Sequence, residues 1–432
     1  MKKNCRGGVS CTPGQALFGA TLGFFIGFAG VALFGPTASR FKEIMGLTPV
    51  MTGLLVAIPS LSGSLLRIPF GAWVDTAGGR KPMLVLLVLS FAGMVSLLAF
   101  LFFLYPDGLR LAHYPLLLLL GVLCGCGIAT FSVGIAQASY WFPQKKQGMA
   151  LGTYGGIGNM APGLFSLLIP ISLVKWGLEG SYLAWLVFLL VGIIVYAIIA
   201  GDCYYFQMVK AGLPRAEAQA KASALGEEIF PSGRAIESLR IAASKWQTWV
   251  LVAIYFTSFG GFIALTAWFP TYWTSFYRQQ VIMAGILTAI FSLFASVIRI
   301  GGGSLSDRLG GERTAMLSLG LLVIGTLIMT FSRAFTLSVA GETVIAAGMG
   351  VTNAAVFKLV PQEVKEAVGG ASGWVGGIGA FGGFAIPPLL GLFVRVQGTS
   401  GYASGFVILA VLGLISLALA YVLRRARVSA AS

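Results

Sequence analysis

Long apolar runs without a charged side chain recur along this sequence and limit what it can fold into. Residues 83–104 form one such run and residues 182–201 form another. Each has about the 20 residues that a helix needs to cross the hydrocarbon core of a membrane. A buried helix of a soluble protein would show a polar face, and the strands of a membrane barrel would alternate apolar and polar residues. Neither pattern occurs in these runs, so they predict membrane-spanning helices.

The same pattern predicts twelve spans, numbered here in chain order. The composition agrees, because 57% of the 432 residues are hydrophobic and only 10% are charged, whereas soluble proteins carry about 25% charged residues. The predicted fold is an all-α membrane protein. The spans are expected at residues 15–36, 51–72, 82–104, 115–139, 148–172, 181–206, 247–270, 282–305, 314–333, 337–360, 367–393 and 402–423.

The basic residues between the spans predict the orientation of the chain. Twelve spans place both termini on one side of the membrane. The connections on that side hold 20 Lys and Arg residues, and those on the other side hold 7. Because connections rich in Lys and Arg stay in the cytoplasm, we expect a multi-pass protein of the cell (inner) membrane with both termini cytoplasmic. The formal net charge of +15 then reports orientation and implies no nucleic-acid partner.

Two internal repeats indicate a duplicated chain. The string RIPFG begins at Arg67 in span 2, the string RIGGG begins at Arg299 in span 8, and each arginine precedes an aspartate by eight residues. The string GGIG occurs at residues 155–158 in span 5 and again at residues 376–379 in span 11. Spans 2 and 8, like spans 5 and 11, are equivalent helices of two six-span copies. Duplication of this kind places the substrate site of a transporter between the copies, near the membrane midplane.

The longest polar connection separates the two copies. We therefore predict an N-terminal six-helix half at residues 1–206, a cytoplasmic linker at 207–246 and a C-terminal six-helix half at 247–432. The linker is rich in Ala, Glu and Lys at residues 215–228, which predicts a short surface helix, and Pro-Ser-Gly at 231–233 would break it.

The turns after spans 2 and 8 carry a further repeated pattern. Residues 71–81 read GAWVDTAGGRK and residues 303–310 read GSLSDRLG. Both resemble the loop motif of the major facilitator superfamily, which implies two pseudo-symmetric six-helix halves. In that family the aspartate caps a neighbouring helix end and pairs with a loop arginine, latching one conformation. The alternative is an ordinary tight turn. The latch residues that the resemblance implies are Asp75, Arg80, Asp307 and Arg308.

Two arginines lie inside predicted spans, where a charge is costly and usually functional. Arg67 and Arg299 have no acid near them on their own helices, and Glu342, near an outer helix end, is the acid that we place in a span. An anionic substrate between the two cations would relieve their repulsion, and a guanidinium suits a planar oxyanion. The alternatives are that each arginine extends its side chain to the cytoplasmic surface or bonds to backbone carbonyls.

The arginines and the glycine repeats together resemble the nitrate/nitrite porter family. Its signatures are glycine-rich stretches on spans 5 and 11, which correspond here to residues 152–159 and 373–379. One arginine on span 2 and one on span 8 clamp the anion in that family. For the aromatic residues the alternative is a core role. The implied substrate-binding residues are Arg67, Arg299, Tyr255, Phe259, Phe131, Tyr154, Gly156, Gly158, Gly377 and Gly379.

The resemblance implies a secondary active transporter of nitrate, nitrite or both that works by alternating access. Members that resemble nitrate/nitrite exchangers carry asparagine where Tyr154 stands, and residues 353–361 are similar to the branch thought to couple nitrate to protons. We therefore expect proton/nitrate symport, with Glu342 and Lys358 as candidate titrating groups. The alternatives are nitrate/nitrite antiport and transport of another small anion, an organic anion or a drug.

Few residues are suited to catalysis or metal binding. The chain has one histidine, His113 in an outer loop, and five cysteines without metal-ligand spacing. We expect no enzymatic activity, no cofactor and no metal. A sensor that kept the fold without transport would be expected to lose a clamp arginine, and both are present. The expected partners are nitrate or nitrite and membrane lipid, and we expect the monomer to function.

Overall fold

The computed structural model describes residues 11–230, 235–364 and 367–431, which form helices and their connections and contain no β-strand. Eleven helical segments in this part of the chain are long and apolar enough to cross a bilayer. The predicted all-α membrane fold is thus confirmed. The segments are Pro13–Ala32, Pro49–Ala77, Arg80–Leu104, Leu111–Trp141, Ala150–Ile199, Trp246–Ser275, Val281–Leu309, Gly311–Phe331, Phe335–Glu363, Gly369–Ser404 and Val407–Arg427.

The segment Ala150–Ile199 contains two of the twelve predicted spans. Its 50 residues would make a helix about 75 Å long at 1.5 Å per residue, far longer than the hydrocarbon core of about 30 Å. The helix is broken at Gly177, whose φ of 69° and ψ of −170° are not helical. Spans 5 and 6 therefore meet at this glycine. Span 6 ends at Ile199 rather than at the predicted residue 206.

Several spans change helical geometry part-way along their length. Span 2 restarts at Arg67, because Pro69 has no N–H to donate to the carbonyl of Leu65. Irregular backbone at membrane depth is tolerated where protein buries it or where it lines a cavity. The other interruptions are 3₁₀ turns at Cys126–Ala129 in span 4 and Gly379–Phe381 in span 11, and a π turn at Phe256–Gly260 in span 7.

Spans 2 and 11 touch backbone to backbone near the ends that the predicted topology places outside the cell. A Cβ on Gly53 would lie 2.5 Å from the carbonyl oxygen of Pro387, and a Cβ on Gly391 would overlap the carbonyl of Pro49. Small residues permit such close approach between membrane helices. The contact joins a helix of the first predicted half to a helix of the second.

Large apolar side chains cover the outside of the helical bundle. Phe103 is 81% exposed, Phe331 77% and Ile198 76%. Apolar surface on this scale would be an interaction or aggregation site in water, whereas lipid covers it in a bilayer. The chain is a multi-pass membrane protein.

Three short helices occupy the region between spans 6 and 7. The predicted surface helix at 215–228 is confirmed but shorter, because it ends at Ala224, and the expected break at 231–233 lies outside the described residues. The boundaries of the halves and of the linker stay predictions. The helices are Tyr204–Lys210, Arg215–Ala224 and Ala235–Ser244.

The last of these short helices packs against the start of span 11. The N–H of Gly370 donates to Ser238 Oγ at 3.0 Å. The indole Nε1–H of Trp374 donates to the carbonyl of Leu239 at 2.9 Å. This connection is therefore tied to a helix that carries candidate site residues.

Candidate anion-binding site

Arg67 is held inside the protein by carbonyl groups of two different spans. Its side chain is only 1% exposed, so it does not extend to the cytoplasmic surface. Nε donates to the carbonyl of Gly63 at 3.1 Å, and Nη1 donates to the carbonyl of Gly376 in span 11 at 2.9 Å. Nη2 is buried without a hydrogen-bond partner among the described residues. Bonding to backbone carbonyls, which was one alternative to anion binding, therefore accounts for Nε and Nη1 of this guanidinium but not for Nη2.

Arg299 lies close to the same aromatic ring as Arg67, that of Phe259. Its guanidinium carbon is 5.8 Å from the centroid of Phe259, and that of Arg67 is 5.3 Å from it. The face of an aromatic ring attracts cations. Nη1 of Arg299 is also buried and has no hydrogen-bond partner in the described part of the chain. The structure thus brings the two predicted clamp arginines together around Phe259.

The π turn of span 7 positions the aromatic residues beside the arginines. Tyr255 precedes this turn and Phe259 lies within it, and their rings stack with centroids 4.8 Å apart. Phe131, which follows the 3₁₀ turn of span 4, lies 4.7 Å from the guanidinium carbon of Arg67. Phe357 of span 10 packs edge-on against Tyr255 at 5.1 Å and lies 6.0 Å from Arg299. Breaks in helices commonly mark functional sites in membrane transporters.

A small cavity of about 10 Å³ adjoins Arg299. It can hold about one water molecule, so an oxyanion requires the site to expand. The side-chain oxygens of Asn159 and Asn353 are buried there without hydrogen-bond partners in the described part of the chain. Polar atoms of this kind can orient a small ligand. The lining residues are Asn159, Phe259, Phe262, Ala295, Ser296, Arg299 and Asn353.

Tyr154 contacts the backbone of span 4 next to Phe131. Its hydroxyl donates to the carbonyl of Phe131 at 2.9 Å and lies 3.0 Å from the carbonyl of Thr130. Its ring stacks on Phe24 with centroids 5.0 Å apart. The hydroxyl is therefore used in positioning the backbone beside Phe131, and Tyr154 does not line the cavity.

The four predicted glycines also lie outside the cavity lining. A Cβ on Gly379 would lie 2.8 Å from the ring of Tyr255, and one on Gly377 would lie 2.7 Å from Ile68. A Cβ on Gly158 would overlap the ring of Phe24, whereas one on Gly156 would make an ordinary contact with a neighbouring helix at 3.5 Å. These glycines allow close helix packing around the site.

Comparisons with known proteins agree with this architecture. The family model described as Major Facilitator Superfamily matches residues 20–387 and 279–432. The "Probable nitrate/nitrite antiporter NarK1" of Thermus thermophilus is 30% identical over 90% of this chain and 86% of that protein. The chain belongs to the nitrate/nitrite porter family of the major facilitator superfamily.

Other relatives of the porter support the same assignment. The "Probable nitrate transporter NarT" of Staphylococcus epidermidis is 27% identical over 92% of this chain and 93% of its own. The "Nitrite extrusion protein" of Bacillus subtilis is 28% identical over 92% and 91%, respectively. The solved structure of the xylose transporter XylE from E. coli shares the fold, with a TM-score of 0.72, 13% identity and coverage of 95% of this chain and 97% of that one.

The predicted latch pairs differ from the contacts of the porter in this structure. Asp75 accepts a hydrogen bond from the hydroxyl of Tyr140 at 2.5 Å, and the guanidinium of Arg80 donates to the carbonyl of Ala197 at 2.7 Å. Asp307 pairs with Lys358 at 2.6 Å rather than with the adjacent Arg308. Neither aspartate forms an ion pair with a loop arginine among the described residues.

Asp202 makes the helix-capping contact that was expected of Asp75. Its Oδ1 accepts the backbone N–H of Arg80 at the start of span 3 at 2.9 Å. Lys210 bonds to its Oδ2 at 2.6 Å and to the carbonyl of Ala77 at 2.8 Å. A carboxylate is stabilised at the N-terminus of a helix. Sequence reasoning assigned no role to Asp202.

The two candidate coupling groups of the porter lie far apart. Glu342 is 1% exposed, so it does not face an outer vestibule; its Oε1 accepts the Nε1–H of Trp273 at 3.3 Å, and its Oε2 has no hydrogen-bond partner among the described residues. Lys358 donates to Asp307 and to the carbonyl of Ser306 at 2.7 Å. Lys358 follows Glu342 by 16 positions on one helix, which separates them by about 24 Å along its axis.

Three residues near Arg299 received no site role from the sequence: Asn159 and Asn353, which line the cavity, and Phe357, which packs against Tyr255. Asn159 is the last residue of its helix, next to the break before span 5 continues, and it follows the GGIG repeat directly. Asn353 and Phe357 are four residues apart on span 10 and therefore share a helix face. The sequence did contain a signal for the last two, because a polar amide and an aromatic residue lie on one face of an otherwise apolar span.

Proposed function

We propose that this porter is a secondary active transporter of nitrate, nitrite or both across the cell membrane. It works by alternating access, and the anion binds between Arg67 and Arg299. The observation that carries the proposal is that both guanidinium groups lie within 6 Å of the centroid of one ring, at 5.3 Å and 5.8 Å from Phe259. Each retains a buried nitrogen without a hydrogen-bond partner among the described residues.

The arrangement suits a small planar oxyanion. A guanidinium donates parallel hydrogen bonds to such an anion, and the apolar rings exclude water, which strengthens the electrostatic attraction. The anion also offsets the repulsion between the buried Arg67 and the half-buried Arg299. Because the cavity beside Arg299 has only about 10 Å³, binding requires the helices around it to move. The bond from Arg67 to Gly376 crosses from span 2 to span 11, so an anion that competes for Arg67 would loosen that contact.

The arginine proposal is tested by lysine substitution in proteoliposomes. Lysine keeps the charge but loses the planar fork of donors. Loss of one charge-assisted hydrogen bond corresponds to about a 10- to 100-fold lower kcat/KM for nitrate uptake, and we expect this for Arg67→Lys and for Arg299→Lys. The exposed Arg395→Lys is the matched control and should transport normally. Wild-type uptake by either clamp variant, with chlorate competition unchanged, would overturn the proposal.

For coupling we propose proton/nitrate symport, with Glu342 carrying the proton. Burying a charged carboxylate without a cation is costly, and Glu342 contacts no basic side chain among the described residues. Lys358 is already paired with Asp307. Antiport of nitrate against nitrite is the second candidate, because the relative from Thermus thermophilus bears that name.

Vesicle experiments separate the two coupling modes. Symport predicts nitrate uptake without internal nitrite that increases with an inward proton gradient. Glu342→Gln should lose this gradient dependence but keep nitrate/nitrate exchange, whereas the exposed Glu43→Gln should behave like the wild type. Uptake that requires internal nitrite and ignores the gradient would establish antiport. Gradient-driven uptake that persists in Glu342→Gln would show that another group carries the proton.

A further inference from the structure

A second, larger cavity opens at the end of the C-terminal spans that is predicted to face the cytoplasm. It has about 410 Å³ and lies between the ends of spans 8, 9, 10 and 12. None of its lining residues belongs to the small cavity beside Arg299. We call it the basic cleft, and the polar residues that define it are Glu312, Arg313, Lys358, Gln362, Arg424 and Arg427.

Two of the four cations in the basic cleft are neutralised. Arg427 Nη1 donates to Glu312 at 2.5 Å and to Gln362 at 3.0 Å and lies 3.8 Å from the carboxylate of Glu363, and Lys358 is paired with Asp307. Arg313 and Arg424 make no ion pair with a described residue. The cleft therefore keeps two uncompensated guanidinium groups.

The helix that carries Arg313 adds to this positive potential. Span 9 begins at Gly311 and runs for 21 residues, and the first N–H groups of a helix have no partners within the helix. They attract anions together with the helix dipole. Arg313 lies in this first turn, where it opposes the dipole instead of compensating it. Glu312 lies in the same first turn and is paired with Arg427, so an anion in the cleft would compensate the neighbouring Arg313.

Arg313 also lies at the end of a row of exposed apolar residues on span 9, called here the stripe. Residues 313, 317, 321 and 324 follow helical spacing and share one face of span 9. Leu317 is 61% exposed, Leu321 44% and Ile324 53%. On span 12, Tyr421 is 52% exposed one turn before Arg424, and tyrosine is typical of the membrane interface. The cleft therefore adjoins surface that acyl chains cover.

We propose that the basic cleft binds the phosphate headgroup of an anionic phospholipid of the cytoplasmic leaflet. Arg313 and Arg424 bind the phosphate oxygens, and the acyl chains lie along the stripe of span 9. Basic pockets between helices on the cytoplasmic side are suited to anionic headgroups, and arginine matches phosphate geometry. A soluble ion could bind to the same cations, but it has no acyl chains that would cover the adjoining apolar stripe of span 9.

The test is lipid binding by the purified, delipidated full-length protein. Native mass spectrometry titrates phosphatidylglycerol and, separately, phosphatidylcholine with the same acyl chains. Loss of two cations at the membrane surface corresponds to about 2 kcal/mol, so the variant R313Q/R424Q should bind the first phosphatidylglycerol about 30-fold more weakly than the wild type. The variant R215Q/R425Q removes the same charge at exposed positions outside the cleft and should bind like the wild type. Phosphatidylcholine should bind all three proteins equally.

Three outcomes would overturn the proposal. The first is an unchanged phosphatidylglycerol affinity in R313Q/R424Q, provided that its melting temperature without lipid equals that of the wild type. The second is an equal loss in R215Q/R425Q, which would indicate general charge attraction. The third is full displacement of phosphatidylglycerol by millimolar inorganic phosphate, which would assign the cleft to a soluble ion.

Discussion

Phe259 organises the candidate anion site at the scale of single residues. Its ring lies close to the guanidinium groups of both Arg67 and Arg299 and stacks on Tyr255. The sequence placed the two arginines on equivalent helices, but it did not show that one ring touches both. That contact depends on the π turn in span 7, which local sequence preferences do not specify.

Tyr154→Phe and Asn353→Ala should affect different properties. Tyr154 bonds to backbone carbonyls, so loss of its hydroxyl should reduce stability by about 1 kcal/mol and leave the KM for nitrate nearly unchanged. Asn353 lines the cavity, so its truncation should raise KM about tenfold with little change in melting temperature. Thermal unfolding in detergent and uptake kinetics check both. A KM effect in Tyr154→Phe alone would contradict this assignment.

At the scale of elements, the interruptions within the spans are the features that position the site residues. Apolar length and Lys/Arg distribution predicted where the spans lie, because lipid requires long apolar helices. The break before Arg67 follows from Pro69, a local signal from which no break was predicted. The 3₁₀ and π turns next to Phe131 and Phe259 could not be predicted from the sequence. Packing against other helices, rather than the propensity of the local sequence, determines where they form.

The linker contains an element whose docking should depend on pH. Both carboxylate oxygens of Glu227 accept backbone N–H groups, from Tyr204 at 2.6 Å and Tyr205 at 3.1 Å. Burial raises the pKa of Glu227 from 4.5 to about 7. An acid whose pKa rises on folding stabilises the folded form while it is protonated, so this contribution declines as pH increases from 4.5 towards 7.

We therefore expect residues 204–210 to lose hydrogen-exchange protection between pH 5.5 and pH 8, after correction for intrinsic exchange rates. In Glu227→Gln, which has no ionisable group there, the protection should change much less. Glu217→Gln alters an exposed residue of the same linker, in an ion pair with Lys221, and should retain the wild-type pH dependence. Equal pH dependence in all three proteins would refute a role for Glu227.

At the scale of the whole molecule, spans 2 and 11 are in backbone contact on the predicted outer side. The contact between Gly53 and Pro387 joins the two predicted halves, and alternating access requires such contacts to separate and re-form. Close approach needs glycine, because any Cβ at this position would meet a carbonyl oxygen.

Gly53→Leu should hinder closure of the outer side. We expect nitrate uptake to fall at least tenfold while nitrate still protects the protein against thermal unfolding, since the arginines are unchanged. Gly320→Leu is the matched control, because a Cβ there has open space, and it should transport normally. Normal uptake by Gly53→Leu would show that this contact does not limit transport.

The sequence by itself determined the fold class, the family and the pairing of Arg67 with Arg299 on equivalent helices. These follow from properties that are local or repeated along the chain: apolar length, charge placement and duplicated motifs. Tertiary structure decided which residues touch. It placed Asn159, Asn353 and Phe357 at the site, replaced Asp75 by Asp202 as a helix cap, and left Arg313 and Arg424 without ion-pair partners among the described residues. Such contacts join residues far apart in the chain, and packing of the helices, rather than any local pattern, brings them within bonding distance.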